Sequence, residues 1–372
     1  MSNPYLSLAI SPVHGVSPYV PGRPAESLQR ELGLTSIVKL ASNENPLGPA
    51  PAVFEAIQRA SRELGRYPDG GGFRLKAKLS QRLGLAMEAF TLGNGSNDVL
   101  EIIGRTFAGA GDEVIYSDYA FAVYGLVTQI SGATAVVVPA KDWGHDLDAM
   151  AAAVTSKTKL IYLANPNNPT GTCFDNDALQ GFLARVPERV LVVLDEAYFE
   201  YFEDQDRPDG ISFLARYPNL IVCRTFSKAY GLAALRLGYA VSHPGIAELL
   251  NRVRQPFNVN TLAQEAGLVA LDDDMHLQKS VELNRQGMQQ LTEGLAGLNL
   301  TVIPSRANFL TVQVGRAAEI NRALLNKGVI VRPLDGYGMS EWLRVSIGLA
   351  EENQRFLEAL TDVLAELGVA GH

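Results

Sequence analysis

The sequence is poor in cysteine, with only Cys173 and Cys223 among its 372 residues. Two cysteines are too few for a disulfide framework, so we expect ordinary thiols in a reducing compartment. Basic residues are in the minority, because 32 lysines and arginines stand against 40 aspartates and glutamates and leave a formal net charge of −8. Non-specific nucleic-acid binding requires clustered basic charge, and we therefore expect no nucleic-acid partner.

Signals for export or membrane insertion are also lacking. Residues 1–22 contain no lysine or arginine, so the positively charged start of an export signal is missing. Residues 119–140 carry no charge, but Gly132 divides this stretch into a helix-like half and a valine-rich half. A buried helix, turn and strand explains the stretch better than a membrane-spanning helix. We predict a soluble, cytoplasmic protein with no membrane partner.

Short apolar runs alternate with segments of helical period from about residue 50 onward. Continuous runs rich in Val, Ile and Leu are typical of strands in a parallel sheet that is covered on both faces. The strand candidates are residues 114–117, 135–138, 160–164, 190–194 and 220–223. Further along, the pattern predicts a strand at 307–314, a helix at 317–326 and a strand at 329–331.

This pattern predicts an α/β fold with two domains. The large domain, residues 50–265, would have a mostly parallel central sheet covered by helices. A smaller α+β domain would be formed by residues 266–372 together with the N-terminal segment, residues 1–49.

Two charged residues stand at the ends of predicted strands. Lys228 lies in the segment 224–228 (RTFSK), just after one apolar run, and Asp195 follows another. Desolvation or a second cation, such as Arg236 eight residues on, lowers the pKa of a lysine and allows a Schiff base. Asp195 lies where open α/β sheets bind ligands, and its carboxylate could keep a heterocyclic nitrogen protonated. Taken alone, a solvated lysine and a helix-capping or ion-paired aspartate are the more common interpretations.

Two polar segments add possible ligand contacts. Residues 165–171 (NPNNPTG) form a rigid turn from which Asn168 could present its amide to a ligand oxygen, although an ordinary Asn-Pro turn has the same sequence. Residues 93–98 (GNGSND) open a helical segment, where exposed N–H groups form an anion site. This segment matches neither the dinucleotide fingerprint nor the Walker lysine loop.

Taken together and in this order, these four segments resemble the fold-type I pyridoxal-phosphate (PLP) aminotransferases, and most closely the subgroup that acts on histidinol phosphate. The resemblance covers nearly the whole chain. It includes residues 19–23 (YVPGR), 40–49 (LASNENPLGP), 66–69 (RYPD) and 342–348 (WLRVSIG). The serine–lysine pair followed by an arginine is specific for the superfamily, whereas SNENPLGP and RYPD are more specific for the subgroup.

The resemblance implies roles around the cofactor ring. Lys228 would hold the cofactor covalently and shuttle a proton between substrate and cofactor, and Asp195 would pair with the pyridinium nitrogen. Tyr198 and Asn168 would donate hydrogen bonds to the phenolic oxygen of the ring. Phe121 matches the aromatic residue that stacks on the ring, a position for which Tyr119 and Tyr124 are the neighbouring alternatives.

The resemblance also implies contacts to two anions. For the cofactor phosphate these are Gly95, Ser96, Asn97, Thr225, Ser227 and Arg236, with Tyr67 reaching in from a second subunit of a homodimer. Packing of Tyr67 beside Pro68 is the competing interpretation. For the substrate, the implied residues are Arg344, Arg332, Tyr19 and Asn43, and no metal is implied.

The predicted function is transamination with PLP as the cofactor, using a small-molecule amino donor and a 2-oxo acid acceptor. The resemblance implies L-histidinol phosphate and 2-oxoglutarate as substrates, with imidazole-acetol phosphate and L-glutamate as products, a reaction of histidine biosynthesis. An aromatic amino-acid aminotransferase on the same scaffold and a PLP-dependent decarboxylase of a phosphorylated amino acid are alternatives. A non-catalytic PLP-binding regulator is disfavoured by the intact set from Lys228 to Arg236.

Overall fold

A computed structural model describes residues 3–16, 25–34, 36–202 and 208–368. The α-helices are α1 (Ala25–Leu32), α2 (Pro51–Ala60), α3 (Phe73–Leu83), α4 (Ser96–Phe107), α5 (Ala122–Ser131), α6 (Leu147–Ala152), α7 (Asn176–Leu183), α8 (Pro244–Val253), α9 (Thr261–Ala270), α10 (Asp274–Gly297), α11 (Ala317–Asn326) and α12 (Ala350–Leu367). The strands are β1 (Val38–Lys39), β2 (Phe90–Gly93), β3 (Glu113–Ser117), β4 (Thr134–Val138), β5 (Thr158–Ala164), β6 (Leu191–Asp195), β7 (Leu220–Thr225), β8 (Gly238–Ser242), β9 (Val302–Ile303), β10 (Phe309–Gln313), β11 (Val329–Ile330), β12 (Arg332–Leu334) and β13 (Met339–Ser346).

The largest sheet has seven strands in the order β2-β8-β7-β6-β5-β3-β4. Strand β8 is antiparallel to both of its neighbours, and the other pairs are parallel. Strands β5, β6 and β7 are buried along almost their whole length. This burial explains why their sequences are continuous apolar runs rather than alternating ones.

The register of the central strands sets the position of the loops that follow them. Asp195 is paired with Ala164 of β5 on one side and with Cys223 of β7 on the other. The carboxyl ends of the three strands therefore lie level at one edge of the sheet. Open α/β sheets bind ligands at this edge.

The five strands predicted for the large domain are all present, with ends within two residues of the prediction. Residues 119–140 contain α5, then Gly132 with a φ of 78°, then β4, which confirms the helix, turn and strand. The expected burial is wrong for the strand, because β4 lies at the edge of the sheet and is mostly exposed. None of the described helices is long and apolar enough to span a membrane. Strands β2 and β8 were not predicted, because each is short, has glycine at one end and gains its conformation from pairing with its neighbour.

A second sheet of four antiparallel strands has the order β12-β13-β10-β9. Helices α10, α11 and α12 pack with it around an apolar core that includes Leu291, Leu310, Leu343 and Phe356. Strand β1 pairs in parallel with β11, so the N-terminal segment joins the C-terminal elements. The architecture is the predicted α/β one, and the division at residues 50–265 stays a prediction.

Candidate active site

A cavity lies at the carboxyl ends of β5, β6 and β7 and is also bordered by β12 and β13. It brings together residues that are far apart in the sequence. The predicted site residues that line it are Asn43, Ser96, Asn97, Phe121, Asn168, Asp195, Tyr198, Thr225, Ser227, Lys228, Arg236, Arg332 and Arg344.

The lysine at this cavity, Lys228, follows β7 on a short loop. Its Nζ donates a hydrogen bond to the carbonyl oxygen of Ser42 at 3.2 Å and lies 5.7 Å from the centre of the Tyr198 ring. Burial lowers the pKa of the ammonium to about 7, and the positive charges of Arg344 and Arg236 act in the same direction. A large fraction of the amine is therefore neutral near pH 7, which makes it a nucleophile and a proton acceptor.

The carboxylate of Asp195 is buried at the end of β6. Its Oδ2 accepts a hydrogen bond from the hydroxyl of Tyr124 at 2.9 Å. Its Oδ1 is buried and has no hydrogen-bond partner among the described residues. Burial raises the pKa of Asp195 to about 6, against the opposing effect of the Tyr124 hydrogen bond. An orphaned carboxylate oxygen at a cavity suits a ligand that brings its own N–H donor.

The hydroxyl of Tyr198 is held by the N-terminal segment. The side-chain amide of Asn43 donates to it at 2.9 Å, and the hydroxyl of Ser346 on β13 donates to the amide oxygen of Asn43 at 2.9 Å. Burial raises the pKa of Tyr198 to about 12, so its hydroxyl stays neutral and can donate a hydrogen bond. Asn43 therefore contacts Tyr198 directly.

The guanidinium of Arg344 joins β13 to the rest of the site. Its Nη1 donates to Oδ1 of Asn168 at 2.6 Å, and its Nη2 donates to the carbonyl oxygen of Ala41 at 2.8 Å. Because Oδ1 of Asn168 is occupied in this way, the amide nitrogen is the group that Asn168 can offer to a ligand. Arg332 is the cross-strand partner of Arg344, and both line the cavity. Like charges directly opposite each other repel, and an anion between them would relieve that repulsion.

The N-terminus of α4 has the groups that an anion site requires. Gly95 precedes this helix with a φ of 89°, and a Cβ built there would lie 2.3 Å from Nη2 of Arg236. Nη1 of Arg236 donates to the hydroxyl of Ser227 at 3.2 Å. The hydroxyl of Thr225 accepts a hydrogen bond from the backbone N–H of Ser227. Free N–H groups at a helix start beside a guanidinium and hydroxyls match the needs of a phosphate.

Three of the predicted residues are not in the cavity lining. Gly95 lies directly beside it, in front of α4. Tyr67 is 82% exposed and stacks on Phe257, with ring centres 4.8 Å apart. Tyr19 lies outside the described residues, so its predicted role stays untested.

Among the residues at the site that were not predicted, three contribute polar side chains. Tyr124 binds Asp195, Ser346 binds Asn43, and Tyr337 lines the cavity with its hydroxyl 3.4 Å from the backbone nitrogen of Ala122. The sequence contained a signal for Tyr124, because it lies one helical turn after Phe121. It was considered only as an alternative to Phe121, however, and not as a partner of Asp195. The other two depend on how the second sheet meets the first, which no local pattern indicates. The described residues contain no cluster of His, Cys, Asp and Glu suited to a metal ion.

Comparison with known proteins agrees with this fold and this arrangement of groups. Residues 35–360 match the model of the family aminotransferase class I and II, and the chain belongs to this family. Histidinol-phosphate aminotransferase 2 of Pseudomonas fluorescens is 57% identical over 98% of this chain and 100% of the relative. The protein of the same name from Pseudomonas aeruginosa is 56% identical over 97% and 99%.

The solved structures include a histidinol-phosphate aminotransferase from Sinorhizobium meliloti in complex with pyridoxal-5'-phosphate. It is 31% identical, covers 97% of this chain and 98% of its own, and has a TM-score of 0.90. The predicted fold class and the predicted resemblance to the histidinol-phosphate subgroup are thereby confirmed.

Proposed function

We propose that the chain is a PLP-dependent transaminase that converts L-histidinol phosphate and 2-oxoglutarate to imidazole-acetol phosphate and L-glutamate. The observation that carries the proposal is the content of one cavity. It holds a lysine whose pKa is lowered to about 7, a buried carboxylate oxygen that has no hydrogen-bond partner in the described part of the chain, and a helix start beside Arg236 that suits an anion. The identity of more than half to relatives named histidinol-phosphate aminotransferase supports the choice of substrate.

The groups present fit PLP on each of its polar edges. Oδ1 of Asp195 would accept a hydrogen bond from the ring nitrogen, and the amide of Asn168 and the hydroxyl of Tyr198 would donate to the phenolic oxygen. The start of α4, with Thr225, Ser227 and Arg236, would hold the phosphate, and Phe121 would face the ring. When bound, PLP supplies an electron sink for the bonds at the substrate Cα.

Lys228 would provide both the covalent attachment and the mobile proton. Its burial, together with the nearby Arg344 and Arg236, keeps a large fraction of its amine neutral near pH 7. A neutral amine can bind the cofactor carbonyl and can take a proton from the substrate Cα. Asp195, held by Tyr124, would keep its negative charge toward the ring nitrogen, because a positive partner favours the charged form of a carboxylate.

Arg344 and Arg332 would bind the anionic groups of the two substrates. They face each other across β13 and β12 at the cavity. Planar guanidinium groups bind both carboxylates and phosphates in a bidentate manner. One pair of arginines could therefore accept the phosphate of histidinol phosphate in one half-reaction and a carboxylate of 2-oxoglutarate in the other.

A second copy of the chain is the proposed partner of an exposed apolar surface. Large apolar side chains are exposed on α2, between α2 and α3, at the start of α3 and before α9, and α9 packs on both α2 and α3: Phe54, Leu64, Tyr67, Phe73 and Phe257. Exposed apolar groups of this size mark interaction sites. In a homodimer, Tyr67 would reach the cofactor phosphate of the partner subunit, as the resemblance implies. Cys173 and Cys223 are thiols that form no disulfide in the described part of the chain, which is compatible with the proposed cytoplasmic location.

A single-turnover absorbance experiment tests the substrate. Protein loaded with PLP is mixed separately with L-histidinol phosphate, L-phenylalanine and L-glutamate, without an acceptor. We expect the fastest conversion of the bound cofactor with histidinol phosphate and slow conversion with phenylalanine. The reverse order would identify an aromatic amino-acid aminotransferase. Release of carbon dioxide from a phosphorylated amino acid, added in a separate reaction, would identify a decarboxylase. Absence of a bound chromophore after addition of PLP would contradict the proposal as a whole.

A further inference from the structure

A hydrogen-bond network of three buried side chains connects the second sheet to the cavity. It begins with Ser346 on β13, passes through Asn43 after β1 and ends at Tyr198 after β6. The three side chains are at most 4% exposed. Each belongs to a different part of the chain, so the contacts form only in the complete fold.

The geometry of this network shows which group donates in each of its hydrogen bonds. The backbone N–H of Asn43 donates to the hydroxyl oxygen of Ser346 at 2.8 Å, and a backbone N–H can only donate. The hydroxyl hydrogen of Ser346 is then directed to the amide oxygen of Asn43 at 2.9 Å. The amide nitrogen of Asn43 consequently faces Tyr198 and donates to its hydroxyl oxygen at 2.9 Å.

We infer that Ser346 is a positioning residue that, through Asn43, makes Tyr198 a hydrogen-bond donor toward the cavity. The hydroxyl oxygen of Tyr198 already accepts from Asn43, so its own hydrogen is available to a ligand. An opposite orientation of the Asn43 amide would draw that hydrogen away from the cavity and would leave the Ser346 hydroxyl without an acceptor.

The backbone conformation at Asn43 favours the contact of its side-chain amide with Tyr198. Asn43 has a φ of 54°, a left-handed conformation that asparagine tolerates better than most residues. Its carbonyl oxygen accepts a hydrogen bond from the side-chain amide of Asn308 at 3.0 Å. The position of the Asn43 side-chain amide is therefore fixed by its own backbone as well as by its hydrogen-bond partners.

This inference rests on the proposed function, because the receiving group is the phenolic oxygen of bound PLP. A donor to that oxygen stabilises its negative charge, and loss of the donor moves the pH midpoint of the cofactor's absorbance change upward. Other ionisable groups also face Tyr198 from the elements around it, and the test leaves all of them unchanged: Asp195, Tyr201, Lys228, Tyr337 and Arg344.

The test is a pH titration of the absorbance of the PLP-loaded protein. We expect Ser346→Ala to raise the midpoint by about half a unit to one unit, in the same direction as Tyr198→Phe. The matched control is Ser242→Ala, which removes a hydroxyl from an equally buried serine that donates to the carbonyl oxygen of His243, outside the cavity lining. We expect no shift for this control, and we expect Ser346→Thr, which keeps the hydroxyl, to restore the wild-type midpoint.

Two further variants separate positioning from a general structural effect. Asn43→Asp keeps the shape of the side chain but can only accept from Tyr198, so it is expected to raise the midpoint even if Ser346→Ala does not fold. The double variant Ser346→Ala with Tyr198→Phe is expected to shift no further than Tyr198→Phe alone, because both act on one hydrogen bond.

An unmoved midpoint in Asn43→Asp, or additive shifts in the double variant, would overturn the inference. Failure of the proposed function is distinguishable from this outcome. In that case the wild-type protein itself would show no bound chromophore, or none that responds to an amino donor.

Discussion

At the scale of single residues, the site depends on charges that are buried and only partly compensated. Lys228 and Asp195 are both displaced from their ordinary pKa values, the lysine downward to about 7 and the aspartate upward to about 6. Burial is the larger cause in both cases. Groups of this kind cost stability and are typical of functional sites, and two predictions follow from their titration.

The capture of PLP by the apoprotein should depend on the protonation of Lys228. The amine reacts only when it is neutral, so the capture rate should rise with pH through about 7 and level off above it. Arg344→Gln removes a nearby positive charge and should move this midpoint upward. Stopped-flow absorbance at a series of pH values measures both. A midpoint near 10 in the wild-type protein would mean that the lysine is not desolvated as described.

Asp195→Asn should lower the transamination activity without lowering the stability of the apoprotein at pH 8. Transamination should fall by on the order of 100-fold or more, because the negative charge toward the ring nitrogen is lost. Because the pKa is raised, the contribution of Asp195 to the stability of the folded apoprotein is fully present below its unfolded pKa and is lost as the pH rises through about 6. At pH 8 the variant apoprotein should therefore melt no lower than the wild type. Asp177→Asn, at an exposed position, serves as the control. Full activity of Asp195→Asn would show that the ring nitrogen lies elsewhere.

At the scale of elements, the parallel register of β5, β6 and β7 brings the charged residues of the site to one edge of the sheet. Asp195 ends β6, and Lys228 follows β7, its neighbour. Their runs of Val, Ile and Leu were enough to predict these strands, and the positions directly after them singled out Asn168, Asp195 and Lys228. Other predicted lining residues, including Phe121, Arg332 and Arg344, were implied only by the resemblance to the family.

The contacts between elements were not accessible in the same way. Tyr124 of α5 meets Asp195 because its ring stacks on that of Tyr162 in β5, and Ser346 meets Asn43 because β13 comes close to the segment after β1. Strands β2 and β8 are likewise defined by their pairing with each other rather than by their own composition. Such features depend on tertiary packing, which overrides local propensity.

The start of α4 offers a test at this scale. Gly95→Ala would place a Cβ 2.3 Å from Nη2 of Arg236 in a backbone conformation that favours glycine. The dissociation constant for PLP should rise by about 10-fold or more, because the helix start and the guanidinium cannot keep their positions. Gly109→Ala, where an added Cβ meets nothing within 4 Å, should leave it unchanged. Equal affinities for both variants would contradict the proposed phosphate site.

At the scale of the whole molecule, the proposed homodimer gives a role to Tyr67, which lies outside the cavity lining of its own chain. Tyr67→Phe keeps the exposed ring and removes only the hydroxyl. If that hydroxyl reaches the cofactor phosphate of the partner subunit, the dissociation constant for PLP should rise by about 10-fold, while the sedimenting species stays a dimer. Tyr5→Phe, a similarly exposed tyrosine in the N-terminal segment, is the control. A monomer in sedimentation, or unchanged affinity in Tyr67→Phe, would contradict this role.

The central claim is that Lys228 holds the cofactor, and it is tested most directly by chemical trapping. The PLP-loaded protein is reduced with borohydride, which makes the bond between lysine and cofactor permanent, and is then digested and mapped by mass spectrometry. We predict a single modified peptide with the modification on Lys228, and none in Lys228→Ala. Modification of another lysine as the main product, or no modification at all, would contradict the account of this site.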